Sequence, residues 1–162
     1  FNQNIKIINV VTADQMFAEV KKHFSFSDIS IMSAAVSDYK PKNTINTKIK
    51  KENQNILSIE LVENIDILKY LGLNKSKEQI LVGFALETDN EIINAKSKIN
   101  KKNLDAIVLN SLRDEGAGFG HDTNKISYIN SSGLIKKFKL KSKDKVSIDI
   151  FIEIINDFYE KI

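Results

Sequence analysis

The sequence predicts an α/β fold: a Rossmann-like parallel sheet flanked by helices, with a short antiparallel hairpin or flap. Four short runs, dense in apolar and β-branched residues, are typical of strands buried on both faces. Helical patterns alternate with these runs, as in sheets covered by crossover helices. The 162 residues suffice for one core, and no linker or internal repeat interrupts them, so one domain over 1–162 is expected.

The chain opens with a strand and a helix. The run IKIINVVTA predicts a strand over 5–13. Thr12 and Gln15 have the spacing of a capping box, which predicts a helix from this point to Phe24. The run DISIMSAAV then predicts a second buried strand over 28–36.

A strand pair and a short helix follow. TKIKK (47–51) and ILSIELVE (56–63) predict two strands separated by the polar turn ENQN. The segment NIDILKYLG predicts a short helix, with Asn64 as its N-cap and Gly72 just past its end.

The second half continues the alternation. QILVGFAL (79–86) predicts a third buried strand, 90–101 a helix, and LDAIVLN (104–110) a fourth strand. After a glycine-rich stretch, KISYIN and LIKKFKL predict a hairpin joined by SSG. A last helix is predicted over 145–162, and its apolar stripe consists of Val146, Ile150, Ile154 and Phe158.

Composition excludes several classes of function. The absence of cysteine excludes disulfides, thiolate metal sites and a cysteine nucleophile. No apolar run approaches the roughly 20 residues that cross a bilayer, and no signal-peptide pattern opens the chain. We therefore expect a cytoplasmic protein without a membrane partner. The net charge is +3, but only Arg113 among the 24 basic residues is an arginine, which does not favour nucleic acid as a partner.

Ligands of parallel α/β sheets bind beyond the carboxyl ends of the strands, which predicts a site formed by AAVSDY, GFALET and LNSL. Asp38 could accept hydrogen bonds from a ribose, or it could be a turn residue bonded to its own backbone. Ala34 and Ala35 permit close approach of a ligand or fill a tight core. Phe84 could lie against a base or sugar, or pack in the core.

The lysines near this rim have two interpretations. Lys48, Lys50 and Lys51 could meet phosphate, or they could protect a solvated edge strand from aggregation. Lys98 and Lys102 are four residues apart on one helical face, where they could grip a polyphosphate or simply face water.

The stretch GAGFGHDTN is a weak signal for chemistry. Its glycines are neither a Walker A loop, because no G-K-[ST] follows, nor a dinucleotide fingerprint, because no helix opens after them. A lone His121 beside Asp122 offers too few ligands for a metal site and is weak evidence for catalysis.

Six blocks in order resemble the phosphopantothenoylcysteine synthetase family: SAAVSDYKP, KIKK ten residues after the aspartate, ELVENIDIL, VGFALET, KKNLDAIVLN and GFGHDTN. The resemblance covers about 7–129 and fades over the hairpin and last helix. It implies a ligase of coenzyme A biosynthesis, often fused to a decarboxylase in a bifunctional flavoprotein. In the implied reaction, 4′-phosphopantothenate attacks the α-phosphate of CTP, and L-cysteine then displaces CMP from the acyl-cytidylate.

The resemblance also implies site residues. Asp38 would hold the nucleoside, and Lys48 would contact the phosphates and support acyl-cytidylate formation. One segment corresponds to the family's N-P-D-I motif, in which Ile65 replaces proline and backbone groups would read the cytosine edge; it comprises Ile65, Asp66, Ile67 and Leu68.

Further positions follow from the same resemblance. Phe84 would lie beside the nucleotide, with Lys98 and Lys102 near its phosphates. Of the two alanines near the end of the predicted strand, the first (Ala34) would belong to the nucleotide side and the second (Ala35) to the substrate side. Asn110 would also lie on the substrate side, although this chain reads LNSL where the family commonly has AND.

The family's glycine-rich first loop and its SNxSSGxMG segment do not occur in this sequence, so a synthetase domain without its N-terminal segment is expected. Weak nucleotide binding and no complete turnover are then expected of these residues alone. Mg²⁺ and CTP are the expected cofactor and co-substrate, FMN is expected only with an upstream decarboxylase domain, and a homodimer is implied. The alternative is a non-catalytic nucleotide- or nucleic-acid-binding α/β module.

Overall fold

The computed structural model describes residues 4–45, 47–48, 58–114, 116–117 and 120–159. The helices are α1 (Ala13–Phe24), α2 (Ile67–Asn74), α3 (Glu91–Lys102) and α4 (Lys143–Phe158). The strands are β1 (Ile29–Met32), β2 (Tyr39–Pro41), β3 (Leu61–Glu63), β4 (Ile80–Glu87), β5 (Ala106–Ser111), β6 (Thr123–Asn124), β7 (Ile126–Asn130), β8 (Ile135–Lys137) and β9 (Lys141–Ser142). None of the helices in these ranges is both long and apolar enough to span a membrane.

A mixed sheet with the strand order β1-β4-β5-β7-β8 forms the centre of the fold. β1, β4 and β5 are parallel, whereas β7 and β8 are antiparallel to their neighbours. The predicted α/β class is confirmed, and the predicted hairpin supplies the two antiparallel strands. Gly133 lies in its turn with φ +94°, a backbone conformation that glycine adopts without steric cost.

Apolar clusters cover both faces of this sheet. One face packs against α1, α2 and α3 through residues such as Phe24, Leu71 and Ile99. The other face packs against α4 through the buried stripe Val146, Ile150 and Ile154. The sheet therefore separates two compartments, and each of them can provide one wall of a site at its rim.

The predicted strand over 5–13 is wrong. Residues 5–11 form no ladder, and Ile5 and Val11 are 60% and 92% exposed. A strand requires a partner for its backbone N–H and C=O groups, and hydrophobic periodicity does not show whether a partner is present. The capping box that follows is confirmed, because Thr12 caps α1 with Gln15 as its reciprocal partner.

The pairing predicted between 47–51 and 56–63 is also wrong for the residues that can be compared. β3 pairs with β2 instead, in the register Tyr39↔Glu63 and Pro41↔Leu61. Thr47 and Lys48 lie outside any strand, and 49–51 fall outside the described residues. The two-stranded sheet formed by β2 and β3 is exposed at its edges, which is where a proline without an N–H is tolerated.

The ends of α2 differ from the expectation. Asp66, not Asn64, is the N-cap, and its carboxylate accepts a hydrogen bond from the backbone N–H of Lys69 at 3.0 Å. Gly72 lies inside the helix rather than past its end. A Cβ at Gly72 would lie 1.7 Å from the carbonyl oxygen of Lys102, so this glycine permits α2 to approach the end of α3.

β1 is shorter than predicted, because the ladder with β4 ends at Met32. Ala34 and Ala35 therefore lie in the connection after β1, and in the described part of the sheet β1 is an edge strand rather than a central one. The last helix begins at Lys143, two residues earlier than expected, and 160–162 are not described.

Candidate functional site

Two cavities lie at the carboxyl ends of β1, β4 and β5. We name them the α2 cavity (about 250 Å³) and the α4 cavity (about 480 Å³) after the helices that line them. Both include Ala34, Ala35 and Phe84 in their walls. Ligands bound in the two cavities would thus lie next to each other at these three residues.

The α2 cavity is formed where the connection after β1 meets the N-terminus of α2. Nine of the twelve residues to which a site role was assigned from the sequence line it: Ala34, Ala35, Asp38, Ile65, Asp66, Ile67, Leu68, Phe84 and Lys102. Its other lining residues are Met16, Met32, Val36, Ser37 and Asn64.

Asn64 holds two edges of the α2 cavity together. Its backbone N–H donates to the carbonyl of Asp38 at 2.7 Å, and its side-chain amide donates to the carbonyl of Ser37 at 2.8 Å. The side-chain oxygen of Asn64 is buried and has no hydrogen-bond partner among the described residues. The sequence assigned Asn64 only a capping role, since nothing in its spacing indicates that it bridges segments 26 residues apart.

Asp66 and Lys102 form an ion pair at the edge of the α2 cavity, with Lys102 Nζ 2.9 Å from Asp66 Oδ2. Partial burial alone would raise the pKa of Asp66. The hydrogen bond from the Lys69 N–H, together with the hydrogen bond and positive charge of Lys102, outweighs this effect and lowers the pKa. Asp66 is therefore ionised and committed to these partners.

Asp38 is exposed, lines the α2 cavity, and has no side-chain partner in the part of the chain that the structure describes. Its carboxylate is thus available to a ligand. A ribose hydroxyl is a suitable donor, and the second interpretation, a turn residue bonded to its own backbone, finds no such bond among the described residues.

Phe84 forms part of the wall between the cavities. It lies opposite Val108 of β5 and is half-buried against the apolar cluster beneath α4. Its neighbours Gly83 and Ala85 are buried, so the carboxyl half of β4 leaves one large ring at the point that both cavities share.

The α4 cavity has a different lining. Asn110, near the end of β5, contributes a side-chain oxygen that is buried and has no partner among the described residues. Asn124 is 8% exposed, and its side-chain oxygen accepts from the Lys125 N–H at 3.0 Å. α4 adds Lys143, and its other contributions are Ser147 and Ile150.

Two of the predicted site lysines line neither cavity. Lys98 donates to Glu87 Oε1 at 2.5 Å, and the same carboxylate also accepts from the side-chain amide of Asn94. Lys48 is exposed and lies outside both linings. Lys50 and Lys51 fall outside the described residues, and the roles of Lys48 and Lys98 remain predictions.

Of the stretch GAGFGHDTN, the last residue, Asn124, lines the α4 cavity. His121 and Asp122 are exposed, and neither lines a cavity described above. In the described ranges no group of three or more histidine, aspartate or glutamate side chains is placed to hold a metal ion.

Comparisons with known proteins place the chain in a family. The DNA/pantothenate metabolism flavoprotein C-terminal domain (DFP) matches residues 1–158. A cysteine/cysteine sulfinic acid decarboxylase from an unknown prokaryotic organism is 49% identical over 154 residues, which are 95% of this chain and 43% of that protein. The coenzyme A biosynthesis bifunctional protein CoaBC of Borreliella burgdorferi is 41% identical over 149 residues, 91% of this chain and 37% of that protein.

A solved structure has the same fold. The crystal structure of the C-terminal domain of a coenzyme A biosynthesis bifunctional protein CoaBC superposes with a TM-score of 0.77 at 32% identity, covering 98% of this chain and 70% of that one. This chain spans less than half the length of the two curated relatives named above. Because the family match extends over almost every residue, the chain belongs to the family of the DNA/pantothenate metabolism flavoprotein C-terminal domain.

Proposed function

We propose that this chain carries out phosphopantothenate–cysteine ligation in coenzyme A biosynthesis, with CTP as the activating nucleotide. The observation that carries the proposal is the shared wall at Ala34, Ala35 and Phe84. A ligase that activates a carboxylate must bring a nucleotide and an acid together at one point while keeping their remaining parts apart. Two cavities with a common wall provide this arrangement.

The α2 cavity suits the nucleoside end of CTP. Its volume of about 250 Å³ is below the roughly 300–1,000 Å³ that is typical of sites for whole drug-sized ligands. Asp38 is available for the ribose, and the backbone around Ile65 lies where it could contact a base. The triphosphate would then extend out of the cavity, towards Lys102 and towards lysines outside the lining such as Lys48.

The α4 cavity suits 4′-phosphopantothenate. Its unpartnered Asn110 oxygen can accept a hydrogen bond from the hydroxyl or amide N–H of this substrate. An unsatisfied buried acceptor costs about 1–3 kcal/mol, so a ligand that supplies the donor gains from the pairing. The carboxylate end would lie at the shared wall.

The chemistry then consists of two displacements. A carboxylate oxygen attacks the α-phosphorus of CTP, the bond from this phosphorus to the bridging oxygen breaks, and pyrophosphate leaves. The amine of cysteine next attacks the acyl carbon, loses a proton, and CMP leaves with the electron pair of the broken C–O bond. A free carboxylate is a poor electrophile, which is why the first displacement must precede the second.

The charge on the phosphates must be neutralised during the first displacement. Mg²⁺ is usually held by one or two carboxylates and by the phosphates of its nucleotide, so it would enter with CTP. Of the two carboxylates in the α2 cavity, Asp66 is committed to Lys69 and Lys102, and Asp38 is assigned to the ribose, so the ion would be held through the phosphates of CTP. Lys48 and Lys102 would add point charges.

Product assays test the proposal on the natural full-length protein. With CTP, Mg²⁺ and 4′-phosphopantothenate, pyrophosphate should appear only when all three are present, and amide and CMP only after L-cysteine is added. CTP binding without pyrophosphate release by the full-length protein would indicate a non-catalytic nucleotide-binding module, and preferential, salt-sensitive binding of an oligonucleotide would indicate a nucleic-acid-binding one.

A further inference from the structure

We propose that Lys143, the first residue of α4, binds the phosphate of the acyl substrate and makes the α4 cavity selective for phosphorylated over unphosphorylated pantothenate. This inference rests on the proposed function and concerns a residue to which the sequence analysis assigned no role in a site.

The charge of the α4 cavity supports an anionic occupant. Its described lining contains one cationic side chain, Lys143, and no aspartate or glutamate. The α2 cavity differs, because Asp38 and Asp66 accompany Lys102 there. A phosphate in the α4 cavity would therefore meet one positive side chain and no carboxylate in the described lining.

Lys143 has no carboxylate partner among the described residues, unlike several other lysines of the chain. Among the described residues, eight lysines form ion pairs with aspartate or glutamate at 4.0 Å or less outside the helical i,i+3 pair: Lys40, Lys42, Lys75, Lys98, Lys102, Lys125, Lys136 and Lys141. No such pair is found for Lys143 in the described ranges. An unpaired ammonium can bind an added phosphate without first losing another partner.

The fold holds Lys143 on the wall of the cavity. Its backbone N–H donates to the carbonyl of Asp122 at 2.9 Å, which anchors the first turn of α4. Ser147 and Ile150 follow at four and seven residues, so the three lie on one helical face. Ile150 is 6% exposed and packs in the core, which keeps this face turned towards the cavity.

The polar groups of the α4 cavity would contact different parts of the substrate. Lys143 and Ser147 do not line the α2 cavity, so the phosphate would lie away from the shared wall. Asn110 offers an acceptor, and Asn124 offers its amide N–H groups because its oxygen is already bonded to Lys125 N–H. Ser147 donates its hydroxyl proton to the carbonyl of Asp144 at 2.7 Å, so the phosphate contact falls to Lys143.

The test compares 4′-phosphopantothenate with pantothenate, using calorimetric binding and steady-state kinetics of the natural full-length protein. Lys143→Gln should weaken 4′-phosphopantothenate binding by about tenfold or more and leave pantothenate and CTP binding unchanged. The reason is that a charge-assisted hydrogen bond contributes about 1.5–3 kcal/mol, and a tenfold change in affinity corresponds to about 1.4 kcal/mol. Lys143→Arg should restore most of the preference. Lys145→Gln, on the same turn but not lining the cavity, is the matched control and should keep the preference.

The possible results separate this inference from the proposed function. If Lys143→Gln retains the full preference for the phosphorylated substrate while the protein still forms the amide, Lys143 is not the phosphate contact and the proposed function stands. If Lys145→Gln lowers the preference as much as Lys143→Gln, the effect is one of general surface charge and the inference is wrong. If the unaltered protein binds neither CTP nor 4′-phosphopantothenate, both proposals fail.

Discussion

The ammonium of Lys102 lies 2.9 Å from the carboxylate of Asp66, which joins the last residue of α3 to the N-cap of α2 at the edge of the α2 cavity. The same residue contacts α2 a second time, because the carbonyl of Lys102 lies against Gly72. The position of this cavity edge therefore depends on how closely α2 and α3 pack, and two predictions follow from the two contacts.

The first concerns Asp66 and pH. Its pKa is lowered in the folded protein, so its ionised form stabilises the fold above the ordinary aspartate pKa, and this stabilisation is lost as the pH falls through the lowered value. The stability of Asp66→Asn should consequently fall less steeply below about pH 4 than that of the unaltered protein. Urea unfolding at a series of pH values between neutral and acid measures this.

Asp28→Asn is the matched control for this experiment, since Asp28 is exposed and has no side-chain partner among the described residues. Its acid profile should follow that of the unaltered protein. An Asp66→Asn variant with the same acid slope as the unaltered protein would show that the ion pair does not contribute to folding stability.

The second prediction concerns Gly72. Alanine here adds a Cβ that would lie 1.7 Å from the Lys102 carbonyl, and a backbone atom can yield only if α2 and α3 move apart. Overpacking typically costs about 1–3 kcal/mol. In Gly72→Ala we expect this cost to exceed the gain of about 1 kcal/mol that alanine brings through its better helix propensity. The free energy of unfolding should fall, and CTP affinity should fall with it because the cavity edge moves.

Gly83→Ala provides the comparison. A Cβ there would meet the end of the Leu68 side chain at 2.7 Å, which can rotate, so the loss of stability should be smaller than for Gly72→Ala. Equal stability of Gly72→Ala and the unaltered protein would show that α2 and α3 are not in close contact in solution.

The sequence predicted best where the relevant interactions are local or the apolar run is long. β4 and β5 are buried along most of their length, and a continuous apolar run such as ILVGFAL predicts a strand buried on both faces. The capping box at Thr12 needs only residues three apart. The pairing of β2 with β3 was missed because it joins residues some twenty positions apart, and register across that distance is set by tertiary contacts.

The site shows the same division. Asp38 and the segment beginning at Ile65 could be assigned from short motifs, and both lie on the α2 cavity. Lys143 could not, because it reaches the rim only after the hairpin returns the chain and α4 packs across the sheet. No local pattern indicates that a lysine beginning the last helix lines the same cavity as an asparagine near the end of β5.

A third prediction concerns the capping box of α1. Thr12 Oγ1 accepts from the Gln15 N–H at 3.2 Å, and Gln15 Oε1 accepts from the N–H groups of Val11 and Thr12 at 2.8 and 3.2 Å. Thr12→Ala removes the first acceptor and should lower the free energy of unfolding by about 1 kcal/mol in urea denaturation. Thr12→Ser keeps the hydroxyl and should be close to neutral; an equal loss in both variants would point to the methyl group instead of the cap.

The last prediction uses the wall that the two cavities share. Phe84→Leu keeps an apolar side chain, so the sheet should remain folded with a loss of at most about 1.5 kcal/mol, but it removes the ring that lines both cavities. The affinities for CTP and for 4′-phosphopantothenate should both fall. Asp38 lines only the α2 cavity, so Asp38→Asn should lower the affinity for CTP alone. Binding of each substrate is measured separately by calorimetry. A Phe84→Leu protein that loses affinity for one substrate alone would place this ring in a single site, and the two-cavity arrangement would then not bring the reacting groups together at Phe84.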